Sequence, residues 1–306
     1  MNQLSKQSGI ALVMVLWFIA LLSLLALGFS KTIRTDTMVA RNLVGSTQAK
    51  HLAAAAVEKG IEGLLNLEPA VLSALISGAP IESSIGDARV GYILQDENGK
   101  LDINNAPVEL IESLLLGLGH TQETARSLAH AIDDWRDEDD ARHQHGAEQR
   151  EYSAAEMSWM PSNAPFRSIQ ELRHVMGISA DIYRNLAPLI TVYGSSDKIN
   201  PLYSAPALLK TIPDIDTAEL ENYIDARESL LAEEDPAALP LLTSVESFVS
   251  GQAGPVYTVF GRAELPSGMV ATRRLVVWIP EQDLGRPYFV LDSGQEYPRP
   301  TGEDAE

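Results

Sequence analysis

Residues 10–29 read IALVMVLWFIALLSLLALGF, twenty residues without a charge. As a helix rising 1.5 Å per residue, this run spans about 30 Å, the thickness of a bilayer's hydrocarbon core. Three architectures begin this way. A cleaved secretory signal has a shorter apolar region followed by a small-residue site, whereas Lys31, Ile33 and Arg34 follow here. A plain membrane anchor fits the length, but its orientation is not set by flanking charge, because Lys6 precedes the run and Lys31, Arg34, Arg41 and Lys50 follow it. The third architecture draws on what comes before: Lys6-Gln7-Ser8-Gly9 is a short, polar, basic leader ending in glycine directly ahead of Ile10. The helical pattern also continues past the apolar run. No proline occurs before Pro69, and Ile33, Met38, Leu43, Ala53, Val57, Ile61 and Leu64 recur near helical spacing. One helix from Ile10 to Leu67 would be about 85 Å long, half of it in lipid and half laid on a soluble body.

That body is strongly acidic. The 306 residues carry 42 acids and 23 bases, a net charge of −19. Lys6 is the only charge in residues 1–30, so residues 31–306 stand at −20. Such a surface repels nucleic-acid phosphates and anionic lipid, and attracts cations or basic partners. The absence of cysteine excludes disulfides and thiolate sites.

Residues 88–95 alternate as a strand and Glu97-Asn98-Gly99 makes a turn. Far downstream, residues 255–265 and 269–279 flank Pro266-Ser267-Gly268 as a hairpin, and Tyr288–Leu291 adds an edge strand. The intervening 150 or so residues have helical character. The expected fold is α+β, with a long N-terminal helix over 10–68, transmembrane at 10–29. It packs on a small antiparallel sheet drawn from 69–100 and 250–292, which an α-helical insertion at 101–249 interrupts. Residues 293–306 read as a disordered tail.

Within the insertion, Asn104-Asn105-Ala106-Pro107 opens an apolar helix that ends at Gly117-Leu118-Gly119, and Ser204-Ala205-Pro206 opens a second. Both resemble helix-hairpin-helix units. One reading is that the turn's N–H groups hold a nucleic-acid phosphate, as in a membrane-tethered DNA-uptake protein. The other is that the glycines simply permit a tight turn between packed helices. No basic patch surrounds the turn, and the second copy carries Asp214 and Asp216 in place of glycines.

The densest charge follows residues 123–135. Asp133, Asp134, Asp137, Glu138, Asp139, Asp140, Glu148 and Glu151 fall within nineteen residues, opposed only by Arg136, Arg142 and Arg150. Carboxylates this close raise one another's energy unless water or a cation separates them, and hard oxygens suit Ca²⁺. The spacing is not that of an EF-hand, so a solvated acidic loop and a calcium site both remain open. The stretch from Asp214 to Asp235 offers a second place for an ion. His143-x-His145 with His130 invites a zinc reading, but no cysteine helps and the pair lies in a hydrophilic loop, so surface histidines are expected. No nucleophile elbow, Walker A or H-E-x-x-H motif occurs. A membrane-bound calcium-dependent enzyme stays as an alternative, but no catalytic centre is expected.

The leader and helix resemble type IV prepilins, whose cleavage would fall between Gly9 and Ile10 and leave a methylated Ile10. The fifth mature residue is then Met14, where pilins and major pseudopilins carry a glutamate that is thought to pair with the amino terminus of the subunit above. An apolar residue there resembles the minor pseudopilin K of type II secretion systems. The run DDWRDEDD…GAEQREY is similar to that family's acidic pattern through Asp134, Trp135, Asp137, Asp139, Asp140, Gly146, Ala147, Glu148 and Tyr152. The stretch PSNAPFRSIQELRHVMGISADIYRNLAPLITVYG follows the family too, so the likeness covers most of 7–196. It implies a tip subunit processed by prepilin peptidase, held in the inner membrane with its body in the periplasm. It also implies Ca²⁺ in the insertion on Asp134, Asp137, Asp139, Asp140 and Glu148. Its partners would be I- and J-type minor pseudopilins, then the major pseudopilin, together with the secretin or an exported protein, and not nucleic acid.

Overall fold

The computed structural model describes residues 8–66, 80–233 and 239–295. Helix α1 runs unbroken from Ser8 to Asn66, 59 residues or about 88 Å. Residues 11–44 are exposed wherever their side chains are described, and the most apolar 18-residue window has a mean hydropathy of 2.7 with none of it buried. By length and composition this segment can cross a membrane. Burial begins abruptly at Ala49 and recurs at Ala53, Ala56, Val57, Ile61 and Leu64, a stripe at helical spacing. The same helix is therefore bare over one half and a packing element over the other.

The stripe lies on a five-stranded antiparallel sheet in the order β1(Ile81–Ile85), β2(Ala88–Asp96), β5(Val256–Glu264), β6(Val270–Trp278), β7(Phe289–Gly294). Val57 and Ile61 pack with Leu94, Val259, Leu275 and Val277. Contact is closest at Gly261, where a Cβ would stand 2.4 Å from the carbonyl oxygen of Ala53. Gly261→Ala must therefore push helix and sheet apart, with an expected loss of about 1–3 kcal/mol in the denaturant midpoint of the detergent-solubilised chain. A loss near zero would mean that the helix is not seated there.

The strand expected at 88–95 and the 255–279 hairpin are present in register. Strand β1 is an addition. Strand β7 extends through Asp292 to Gly294, so the tail cannot begin at 293; residues 296–306 lie outside the described residues. Strands β2 and β5 are neighbours in space but 159 residues apart in sequence, with the insertion between them. The insertion has its own core, which includes Leu114, Ile132, Trp135, Tyr152 and Leu172. Two short strands, β3(Leu101–Asp102) and β4(Ile190–Thr191), pair in parallel across it.

The junction is a buried polar clasp. Asp96 accepts from the N–H of Asn98 (2.8 Å) and of Gly254 (2.9 Å), joining the chain leaving the sheet to the chain returning. Glu97, fully buried, pairs with Lys100 at 2.6 Å and accepts from Thr258 and Thr191. Burial works to raise the Glu97 pKa, but Lys100 and these hydroxyls outweigh it and hold the carboxyl low. At Asp96 burial wins and pushes it from 3.8 to about 7. The folded state thus keeps a proton that the unfolded chain loses, so this group's contribution is full below about pH 4 and lost as pH rises through about 7. Asp96→Asn is expected to flatten that part of the stability profile, read as a smaller difference between denaturant midpoints at pH 5 and pH 8. An unchanged difference would contradict it.

At the expected helix-hairpin-helix turn, α2(Val108–Gly117) ends with Leu118, Gly119 and His120 donating their N–H groups to Leu114, Leu116 and Leu115. Gly119 has φ +90°. The turn closes its own helix, and these donors are already engaged.

Candidate metal centre

Helix α3(Gln122–Arg136) is capped by Thr121, whose hydroxyl accepts from Thr124 N–H, and its buried face includes Leu128, Ile132 and Trp135. Trp135 lies nearly parallel to Phe166 at 6.1 Å and tilted to Tyr152 at 6.0 Å. That aromatic anchor fixes the last turn of α3, which carries Asp133 and Asp134 into the loop. Tyr152 is buried, accepts from Met176 N–H at 2.8 Å, and is pushed up to about 12 by burial.

Asp134 is fully buried. Its Oδ1 accepts from His143 N–H at 3.1 Å and faces His143 Nδ1 at 2.5 Å, while Oδ2 has no hydrogen-bond partner. Gly146 passes so close that a Cβ there would meet Oδ2 at 2.0 Å. Glu148 is 5% exposed and its carboxylate sits over the backbone N–H groups that open the helix Gln149–Ala154, with no well-formed hydrogen bond to either oxygen; Asp137 Oδ1 lacks a partner too. Burial first, then Asp134, Asp137 and Asp140, push Glu148 up to about 7. Asp137 is raised by burial and by Asp139, Asp134 and Asp133. Buried carboxylate oxygens with so few donors are costly. A hard cation would satisfy them, so the donor set fits Ca²⁺.

Of the expected ligands, Asp134, Asp137 and Glu148 are brought together with such oxygens. Asp139 and Asp140 sit on the exposed rim, where Asp139 Oδ1 accepts from Ala141 N–H at 2.7 Å and Asp140 Oδ1 from Asn163 Nδ2 at 2.8 Å. Gly146, Ala147 and Tyr152 line the same loop and its helix. Asp133, not expected as a ligand, adjoins the group and holds Arg136 through Oδ1. Its one-turn spacing from Asp137 is the signal that sequence reading leaves unused.

The three histidines lie at or near the surface, as expected, and close together. His130 has its ring 5.2 Å from that of His143 and 5.8 Å from that of His145. His143 is raised chiefly by its bond with Asp134; His130 is lowered by burial, then by the other two histidines. In the second acidic stretch, Glu219 accepts from the N–H and hydroxyl groups of Thr243 and Ser244 and is lowered to about 2 by them. That carboxylate acts as a cap, and residues 234–235 lie outside the described residues. At the amino terminus, Gly9 and Ile10 lie in the first turn of α1, and Met14 stands exposed on its apolar run.

A long apolar helix laid on an antiparallel sheet, with a helical insertion at the crossover, is an α+β fold of the pilin-like kind, whose first helix is long and apolar enough to cross a membrane. Residues 65–195 match the family model for type II secretion system (T2SS), protein K. Type II secretion system protein K of Klebsiella pneumoniae is 26% identical over 278 residues, covering 81% of this chain and 80% of that protein. The same protein of Pectobacterium carotovorum subsp. carotovorum is 31% identical over 144 residues, 44% of each chain, so that match spans less than half of the relative's length. A crystal structure of the GspK-GspI-GspJ complex from the enterotoxigenic Escherichia coli type 2 secretion system aligns with a TM-score of 0.54 at 18% identity, over 87% of this chain and 99% of the matched chain, a likeness of fold. Over residues 65–195 the chain is similar to the type II secretion system protein K family.

Proposed function

We propose that this chain is the minor pseudopilin at the tip of a type II secretion pseudopilus, where it starts assembly and supports export of folded proteins across the outer membrane. Prepilin peptidase removes residues 1–9, and α1 is held in the inner membrane with the body in the periplasm. The observation that carries this reading is the division of α1 itself. Its N-terminal half is bare and apolar, ready to bundle with other helices, and its C-terminal half is sealed onto the body. Met14 puts no carboxylate into that bundle, where an unpaired charge is expensive. A subunit with nothing above it needs none there. The insertion makes the body too bulky to repeat along a shaft, which favours the terminal position. The relatives' name and the matched complex support I- and J-type minor pseudopilins as the first partners, then the major pseudopilin, and the acidic body favours a basic surface on the secretin or on the exported protein.

Calcium belongs to this reading as an ordering ion for the insertion, held by Asp134, Asp137 and Glu148 with Asp139 and Asp140 at the rim. It supplies charge compensation and not a reaction. Met14→Glu is the functional test. It is expected to lower secretion and pseudopilus number in a strain whose own copy is deleted. Normal secretion, with the variant found along the shaft, would remove the tip assignment.

A further inference from the structure

We propose that the groove between α1 and the near end of the sheet holds the headgroup of a zwitterionic phospholipid with a primary ammonium, of the phosphatidylethanolamine class. The groove has a volume of about 910 Å³ and lies between one face of α1 and two turns, β1–β2 and β5–β6. Its helical wall is built from residues that recur every three to four positions from Ile33 to Gln48, the spacing of a single helix face. At the upper end the walls meet, since a Cβ on Gly45 would stand 3.1 Å from Met269 Sδ. Toward its N-terminus α1 is exposed wherever its side chains are described, so the groove opens on that side.

That opening lies close to the polar layer of a bilayer. The apolar run ends at Phe29 and Asp36 follows seven residues later, about 10 Å along the axis. The polar layer is about 5–8 Å deep on each side of the hydrocarbon. Arg41 stands higher, but helix side chains lean toward the N-terminus and a long arginine snorkels toward the charge it pairs with. The charges on the walls then select the ligand. Asp36 and Arg41 come from α1 and Asp87 from the β1–β2 turn, and all three side chains are exposed. None has a side-chain ion pair or hydrogen bond among the described residues. Both signs of charge therefore face one groove unpaired. A phosphate suits Arg41 as a charge-assisted pair, and a primary ammonium offers three N–H donors to the two carboxylates. A quaternary ammonium has no such donor and is held by aromatic rings, and no aromatic side chain lines this groove among the described residues. A head with negative charge alone meets two aspartates for one arginine and is disfavoured. Val44, Ile85 and Leu265 supply an apolar wall, which limits water around these pairs and strengthens them.

The site rests on α1 crossing a membrane, as in the function proposed above, and not on the tip position. The full chain, extracted from the membrane fraction in mild detergent, is offered dioleoyl phosphatidylethanolamine, phosphatidylcholine and phosphatidylglycerol separately and weighed by native mass spectrometry. One phosphatidylethanolamine per chain is expected to survive, with the other two bound at least about tenfold more weakly, the cost of one charge-assisted hydrogen bond. Arg41→Gln and Asp87→Asn should each weaken phosphatidylethanolamine by about the same factor and stay in the membrane fraction. Lys50→Gln, which removes an exposed charge on α1 outside the groove, should change nothing. The proposal is overturned if the parent carries no such lipid, if all three lipids bind alike, or if Lys50→Gln weakens binding as much as Arg41→Gln. It is equally overturned if a second copy of the chain fills the groove, seen as a dimer mass without lipid. A parent chain absent from the membrane fraction would remove the anchor itself, whereas one present there without the lipid removes only this site.

Discussion

Trp135→Ala is expected to destabilise the insertion by about 3–5 kcal/mol, the range for removing a large buried aromatic side chain. The side chain is 4% exposed and lies among Phe166, Tyr152 and His174, with ring centroids 6.0–6.4 Å away. Its loss would leave a cavity whose walls belong to three separate segments, 122–136, 149–154 and 166–174, so local collapse cannot fill it cheaply. The damage should not stop at packing. Asp134 is the neighbouring residue, and its burial depends on the last turn of α3 staying seated. Thermal denaturation should show the melting temperature falling by several degrees, together with loss of any calcium response. Trp135→Phe should recover much of both. A loss under about 1 kcal/mol in the alanine variant would mean that the aromatic cluster is not the anchor.

The second large effect comes from the ion. At a hundred times its dissociation constant, a ligand that binds only the folded chain adds about 2.7 kcal/mol. Calcium should therefore raise the melting temperature, and a chelator should abolish the rise. Asp134→Asn and Glu148→Gln should each lose the response, because each removes the charge of a buried carboxylate that has an oxygen without a hydrogen-bond partner. The pH dependence has a definite sign. Without an ion, Glu148 holds its proton up to about 7, so its own contribution to stability is full below the ordinary value of 4.5 and is lost as pH rises through about 7. With calcium the carboxylate must be ionised, so ion and proton compete. The calcium-induced rise should be larger at pH 8 than at pH 6. An equal rise at both pH values, or one that survives in both variants, would contradict the assignment.

Local patterns were enough for the long elements. Absence of proline to residue 66, the apolar run and the stripe from Ala53 to Leu64 foretell α1. Alternation foretells β2, and a proline-glycine turn foretells the hairpin of β5 and β6. What escaped is held together across distance. Strand β1, Ile-Glu-Ser-Ser-Ile, has too little apolar alternation to declare itself and is defined by pairing with β2. Strands β3 and β4 are two residues each and exist only because residues 89 positions apart meet. Glu97-Asn98-Gly99 reads as a turn, and what the sequence does not show is its burial, which follows from Lys100, Thr191 and Thr258 converging on Glu97. In the candidate site, composition identified the acidic loop, but not which acids turn inward. Asp139 and Asp140 are as acidic as Asp134, and only the seat of Trp135 decides that Asp134 is buried. The convergence of His130, His143 and His145 depends in the same way on the loop folding back over α3.

The central claim is that the bare half of α1 is a trimmed pilin-type rod, and the mass of the mature chain's N-terminus tests it most directly. The account predicts loss of residues 1–9, with a methylated Ile10 at the start of the membrane-extracted protein. A chain that still begins at Met1, in a strain with active prepilin peptidase, would contradict it.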